Sequence, residues 1–399
     1  SLTASYEIAD DIQLKSITAV RRINGSFAQD RDGSNLGINH VYDVFTQKQF
    51  SQEFQFVGKT MDGRLNWVTG LYFFKEKGQD INPIDFLVVS AQSGGYYDYK
   101  NWAAFAQLGF KVTDALTLTG GIRYTEDRKD YLPDQYVVST LLPFLDIPTG
   151  TRTVPYQTVE ANVNKWTPMV SLSYQVQPDL MFYATYSQGF KGGGYTQRIF
   201  PPEASLPSFR PETVDSYEAG FKLMALDNRL RLNAAAFYTD YQDMQLLVAD
   251  ASRVGPFITN AGKARIQGLE MEGNFAPGDG WRLNAAVGLT DAKFKRLDAG
   301  VQGLTLDSRF VLVSKWTLSA SAEKENELGS VGLLTPHVDW SYRSGFFTNA
   351  NGINDPLLYQ PGYSVVNASI RWQDPSRVYS LTFGVDNIGN KKFRVFGDY

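Results

Sequence analysis

The chain has 399 residues, a net charge of −4, no cysteine, and 14% aromatic against 20% charged residues. The missing cysteine excludes a disulfide framework, thiolate chemistry and cysteine-held metals, and the acidic balance argues against a nucleic-acid partner. No run of 18 or more apolar residues exists, which excludes a helical membrane span but not one built of strands.

Alternation of apolar and polar residues, the period of a strand with two unlike faces, recurs along the whole chain and predicts sixteen strands in eight hairpins. The first pairs 2–9 with 12–26 around Asp10-Asp11, and the second pairs 48–58 with 64–76 through Lys59-Thr60-Met61-Asp62-Gly63. The third, 100–113 with 115–127, is the plainest. There Trp102, Ala104, Ala106, Leu108 and Phe110 oppose Asn101, Gln107 and Lys111, and after the turn at Asp114 Leu116, Leu118, Ile122 and Tyr124 oppose Thr117, Thr119, Arg123 and Thr125. Then come 164–176 with 180–189, 214–225 with 229–241 and 264–275 with 281–291. The last two pairs are 313–324 with 330–343 and 362–372 with 377–387. Asp, Asn, Gly and Pro supply turn chemistry at nearly every junction, as at Gln177-Pro178-Asp179 and Pro277-Gly278-Asp279-Gly280.

Long connections, roughly 27–47, 77–99, 128–163, 190–213, 242–263, 292–312 and 344–361, alternate strictly with these tight turns. Strands of about ten residues suit a tilted bilayer crossing. Short turns on one side with long loops on the other are the asymmetry of a membrane barrel. The expected fold is therefore all-β: a transmembrane, antiparallel, up-and-down β-barrel. A charge at bilayer depth on the lipid side costs a few kcal/mol. The charged parity, with Glu53, Arg123, Arg231, Glu270, Glu272 and Arg282, is accordingly expected to face the lumen. The other parity meets outer-membrane lipids, with aromatics such as Trp102, Tyr124, Trp166 and Trp281 near strand ends. A complete sixteen-stranded porin, a passive diffusion channel, is the competing reading. Against it, both chain ends fall at the long-loop side, so the chain is expected to be part of a larger barrel.

Specific strings point to a family. Asp179-Leu180-Met181-Phe182-Tyr183-Ala184-Thr185-Tyr186-Ser187-Gln188-Gly189-Phe190-Lys191-Gly192-Gly193-Gly194-Tyr195 resembles a signature of TonB-dependent outer-membrane receptors. So do Ser216-Tyr217-Glu218-Ala219-Gly220-Phe221-Lys222, Asn260-Ala261-Gly262-Lys263-Ala264-Arg265-Ile266-Gln267-Gly268-Leu269-Glu270 and Val385-Asp386-Asn387-Ile388-Gly389-Asn390-Lys391-Lys392-Phe393. The resemblance implies a 22-stranded barrel filled by a plug domain, of which residues 1–399 supply sixteen wall strands without plug, first strands or closing strand. It further implies active uptake of a scarce nutrient into a Gram-negative cell, a ferric siderophore by default, energised through TonB with ExbB and ExbD.

No catalytic constellation is visible, and neither an enzyme nor a cofactor is expected. His40 and His337 are the two histidines, and His337 shares its parity with Asp339 as a lumen polar pair. Gly192-Gly193-Gly194 lacks the Lys-Ser/Thr of a phosphate loop, and Asp30-Arg31-Asp32-Gly33-Ser34-Asn35 lacks the Glu of a calcium loop, Val41 standing at that spacing. The ligand-binding candidates are aromatic and polar residues near the outer strand ends: Tyr96, Tyr97, Tyr99, Phe190, Lys191, Tyr195, Arg198 and Tyr241. Such a set suits a ferric siderophore, cobalamin, a glycan or an aromatic compound alike. The connection 128–163, with Leu141, Leu142, Pro143 and Phe144, is apolar enough to serve as a lid or to contact a surface lipoprotein.

Overall fold

Sixteen alternating segments, each with one apolar face, have only two ways to bury or shield it: another sheet or a lipid phase. A computed structural model describes residues 1–31, 39–86, 89–140, 147–248, 257–260, 262–298, 301, 304–348 and 357–395, with the side chain of Phe86 excepted. Leu141, Leu142, Pro143, Phe144 and most of the calcium-like stretch, Asp32 to Asn35, lie outside the described residues.

The wall strands are β1 (Leu2–Ala9), β2 (Ile12–Asp30), β3 (Asn39–Thr60), β4 (Leu65–Phe86), β5 (Val89–Lys111), β6 (Leu116–Pro133), β7 (Val159–Gln177) and β8 (Leu180–Lys191). They continue as β9 (Glu212–Ala225), β10 (Leu230–Gln242), β11 (Gly262–Gly278), β12 (Trp281–Leu297), β13 (Trp316–Lys324), β14 (Leu333–Arg343), β15 (Tyr363–Gln373) and β16 (Ser380–Val385). Each pairs antiparallel with its sequence neighbours, from β1–β2 through to β15–β16. Among the described residues β1 and β16 are the two edges of this meander. The expected eight hairpins are all present. Several strands run further than alternation alone indicated: β3, β4 and β5 are 22, 22 and 23 residues long, so much of the expected loops 27–47 and 77–99 is strand.

Register fixes the faces. Glu53 pairs with Tyr72, Tyr72 with Ala103 and Ala103 with Thr125, two residues from Arg123. Ala235 pairs with Glu270, and Asn233 with Glu272. Arg231 shares their face through Asn274, which pairs with Asn284 two residues from Arg282. Followed strand by strand, Glu53, Arg123, Arg231, Glu270, Glu272 and Arg282 all stand on one face. Polar chains cross it, such as Asn233 Nδ2 donating to Glu272 Oε1 (2.7 Å) and Arg282 reaching Glu323 (2.7 Å) and Glu325 (2.9 Å). His337 lies there too, 3.6 Å from both Glu323 and Asp339. Arg123 lies over the rings of Tyr72 and Phe105.

The opposite face is apolar and open: Leu71 57%, Ile122 47%, Trp166 59% and Leu269 53% exposed. An unshielded apolar face spanning sixteen strands is stable only against lipid. No helix among the described residues is long and apolar enough to cross a membrane; the strands do so. On the polar face aromatic rings lie flat across a glycine of the next strand. Phe105 covers Gly70, Tyr97 covers Gly78 and Phe237 covers Gly268, where any Cβ would overlap the ring. Such pairs keep bulky rings against the wall and pin the register.

With about 3.3 Å per residue, a tilt near 40° and an apolar band about 25 Å tall, a strand needs roughly ten residues to cross. Counted from the short turns, residues 65–75 of β4, 101–111 of β5 and 116–126 of β6 make the crossing. What lies beyond them stands outside the membrane.

Candidate ligand site in the outer mouth

The upper parts of β3 to β7 form a palisade, and the segments 147–158 and 192–211 fold against its polar face. Gly94 and Gly95 take φ of 115° and 158°, which lets β5 bend beside β6, and the Tyr131 hydroxyl donates to Gly94 O at 2.7 Å. Tyr131, Val154, Ile199 and Leu206 make a small buried core there, packed by Tyr97, Val159 and Tyr195. The burial of this cluster is what holds the connections inside the mouth rather than splayed into solvent.

Polar anchors fix the same segments. Ile199 N donates to Gln135 Oε1 (3.2 Å), and Thr153 N donates to Gln135 O (3.2 Å); Gln135 is 1% exposed. Arg198 Nε donates to Asn82 Oδ1 (3.2 Å), and Asn82 Nδ2 in turn to Tyr42 O (2.9 Å). Thr196 Oγ1 donates to Ile258 O at 3.0 Å, tying 192–211 to the neighbouring connection.

Between these segments and the tops of β3 to β5 lies a cavity of about 500 Å³, the size of a small-molecule site. Val41, Ile84, Val89, Ile199 and Phe257 give it an apolar lining, and Ser93, Gln135 and Thr153 add polar groups. Ser93 Oγ, Gln135 Nε2 and Thr153 Oγ1 are buried without a hydrogen-bond partner among the described residues. Buried polar atoms are nearly always paired, so three orphans on one cavity mark it as built for polar contact. Its described lining carries Arg31 and Arg198 and no carboxylate.

Below the segments, Asp43 and Asp80 face the same side, outside the membrane band. Burial, then a hydrogen bond with Asp43 and that residue's charge, push the Asp80 carboxyl up to about 7, against the pull of Arg198. Burial and the nearby Glu160 also raise the Tyr195 hydroxyl, which donates to Glu160 O at 2.5 Å.

The sequence candidates divide. Tyr97 and Tyr99 stack on the polar face (ring centroids 5.0 Å apart), with Lys129 over Tyr99 and its Nζ donating to Gly193 O at 3.1 Å. Tyr195 and Arg198 line the cavity, and Arg198 is engaged in anchoring the segment to Asn82. Lys191 and Tyr241 share the polar face by register, through Glu212 and Val214, but stand outside the cavity lining. Tyr96 and Phe190 are placed on the outward face, paired with Gln79 and Thr213, and do not converge with the others. Strand alternation is the reason: of Tyr96, Tyr97 and Tyr99 only the odd two point inward. The residues that sequence reasoning missed are Asn82, Ser93, Gln135 and Thr153. Asn82 carried a signal, a polar residue between Ile81 and Pro83 in a stretch read as loop; Ser93, Gln135 and Thr153 stand beside other polar residues and carried none.

The comparisons with known proteins agree with this architecture. Residues 1–388 match the family model described as TonB dependent receptor-like, beta-barrel. The chain is 27% identical over 309 residues to the pesticin receptor of Yersinia enterocolitica, covering 76% of this chain and 41% of that protein. It is 34% identical over 227 residues to the metal-pseudopaline receptor CntO of Pseudomonas aeruginosa, covering 57% of this chain and 30% of that one. In fold it is similar to the ferric yersiniabactin uptake receptor FyuA of Yersinia pestis (TM-score 0.82, 22% identity), covering all of this chain and 56% of that structure. The chain thus spans less than half the length of the curated relatives it matches. The sixteen-stranded antiparallel wall with its one-sided connections belongs to the TonB-dependent receptor family, in its β-barrel domain.

Proposed function

We propose that residues 1–399 are wall and mouth of a Gram-negative outer-membrane receptor that imports a metal chelate, a ferric siderophore foremost, with energy supplied through TonB. The observation that carries this reading is the mouth cavity: about 500 Å³, apolar-lined, with three orphaned polar atoms, two arginines and no carboxylate among its described lining. Apolar walls with a few fixed polar groups and positive charge suit an organic anion wrapped around a metal. Among the described residues no cluster of three or more His, Asp or Glu could hold a bare metal ion, so the metal would arrive inside its chelator. Names of relatives support the same class: pesticin receptor, metal-pseudopaline receptor and ferric yersiniabactin uptake receptor.

On this reading the wall does no covalent chemistry. Tyr97, Tyr99, Tyr195 and Arg198 shape the mouth, while Glu53, Arg123, Arg231, Glu270, Glu272 and Arg282 form the polar surface on which a plug domain rests. TonB, with ExbB and ExbD, would act through that plug. Among the described residues neither a glycan ligand nor a surface lipoprotein has an observation in its favour. A passive porin fares no better, because its mouth has no need of a carboxylate-free, arginine-bearing cavity.

Uptake of radio-iron supplied as ferric yersiniabactin, ferric catecholate and ferric hydroxamate, by cells carrying the full-length receptor, tests the reading. At least one chelate should enter in a way abolished by deleting TonB. Entry of all three irrespective of TonB would support the porin, and entry of none would remove the siderophore class.

A further inference from the structure

Two carboxyls meet beneath the mouth cavity. Asp80 on β4 pairs with Phe45 of β3, and Asp43 is the next β3 residue on the same face. The two lie within hydrogen-bonding reach of each other, and Oδ1 of each is buried without a partner among the described residues. An ionised carboxylate only accepts hydrogen bonds. Two that face each other are satisfied by sharing one proton, so that one carboxyl donates to the other.

The charged and titratable groups around Asp80 come from several elements. They are Asp43 on β3, Tyr97 on β5, Tyr131 on β6, Arg198 from the segment 192–211, and Arg31 at the end of β2 acting on Arg198. Burial above all raises both tyrosine hydroxyls, so they stay neutral near pH 7. The guanidiniums stay charged. The carboxyl pair is therefore the group that changes charge near neutrality, Asp80 being raised to about 7 by burial first and Asp43 second.

Arg198 connects this pair to the cavity. It lines the cavity together with Arg31, whereas neither carboxyl does. Its Nε donates to Asn82 Oδ1 at 3.2 Å, which holds its charge where both the pair and a cavity ligand feel it. While the pair keeps a proton, the two guanidiniums are opposed by one negative charge; once the proton leaves, they are opposed by two. The cavity is the more positive in the first state.

We propose that Asp43 and Asp80 form a proton-linked pair that regulates the mouth cavity: an anionic ligand binds with uptake of a proton onto the pair, and binds more weakly once that proton is lost. This linkage rests on the cavity taking an anionic chelate and adds how that binding responds to pH. The sign follows from charge alone. A bound anion favours the protonated, less negative form of the pair, and by reciprocity the protonated pair favours the anion by the same factor. Neither carboxyl touches the ligand; both act through Arg198 as positioning residues.

Calorimetric titration of the full-length receptor with ferric yersiniabactin and ferric catecholate, in buffers of different ionisation enthalpy, counts the protons taken up. Protons belonging to the chelate enter equally for every variant, so a difference between variants isolates the pair. At about pH 7.5 wild type should take up about half a proton more than Asp80→Asn. Between about pH 6 and pH 8.5 the affinity of wild type should fall on the order of tenfold further than that of Asp80→Asn. The Asn side chain can donate to Asp43 as the protonated carboxyl does, and the variant should keep the acid-side affinity throughout. Asp98→Asn, which removes an outward carboxylate paired with Lys77, should give the wild-type proton count. In wild type alone, the chelate-induced infrared difference spectrum should gain a protonated-carboxyl band. Equal proton counts in wild type and Asp80→Asn, with both binding the chelate, would overturn the linkage and leave the cavity reading standing. Failure of wild type to bind either chelate at any pH would remove the chelate reading and the linkage with it.

Discussion

The wall is built to two lengths. β2 to β7 run 18 to 23 residues, whereas β13 to β16 run 6 to 11. Roughly ten residues cross a membrane, so the short strands do little more than cross, and the long ones carry a surplus of similar size into the outside. That surplus holds the buried cluster of Tyr131, Val154, Ile199 and Leu206 and the cavity beside it. Crossing the membrane and enclosing the mouth cavity thus fall to different stretches of the same strands and are governed by different physics: lipid exposure below, water and packed connections above.

The contrast is broken or sharpened most strongly by moving a charge along the outward face. Ile122→Arg, at mid-band on β6, should destabilise the barrel by about 2–4 kcal/mol. Tyr96→Arg, outward but above the band, should change it by less than about 0.5 kcal/mol. Urea titration of the receptor folded into vesicles measures both, and equal effects would remove the distinction between crossing and surplus. Next in size, Gln135→Ala deletes the buried amide that accepts from Ile199 N and should loosen the mouth by about 1–3 kcal/mol. Hydrogen exchange should quicken in 194–199 and 151–154 and stay unchanged in β13 to β16; a uniform change would show that the mouth is not a separate unit.

The most local effect is pH. Asp80 has its carboxyl raised to about 7, and it faces Asp43 on β3, Arg198 from the folded-in segment, and Tyr97 and Tyr131 on β5 and β6. A carboxyl raised in the folded state binds its proton more tightly there than when unfolded. Its stabilisation is therefore full below about pH 4 and is lost as pH rises through about 7. Exchange protection of β3 and β4 above the band should fall over that window in wild type and be flat in Asp80→Asn. The same fall in Asp80→Asn would assign it to another group.

The two halves also explain what the sequence disclosed. Strand 362–372 on the short side is found at Tyr363–Gln373, and the turns at Asp10-Asp11 and Gln177-Pro178-Asp179 are where Asp and Pro put them. Within the membrane band lipid enforces alternation, so parity alone sorted Glu53, Arg123 and Glu270 from Leu71, Ile122 and Leu269. Above it neither face meets lipid and the rule lapses. Gly94-Gly95-Tyr96-Tyr97-Asp98-Tyr99 shows no alternation, yet it is strand. Gln135 and Thr153 matter only because 147–158 and 192–211 fold onto each other, contacts that no local pattern encodes.

On the proposed function the mouth cavity takes an anionic chelate. Leu247 lines it and is 59% exposed, so a substitution there leaves the folded wall intact. Equilibrium binding of ferric yersiniabactin and ferric catecholate to the purified full-length receptor should weaken on the order of tenfold or more in Leu247→Glu, through like-charge repulsion. It should be unchanged in Leu306→Glu, which is similarly exposed but not part of the cavity lining. Unchanged affinity in Leu247→Glu, for a chelate that wild type binds, would rule out the mouth cavity as its site.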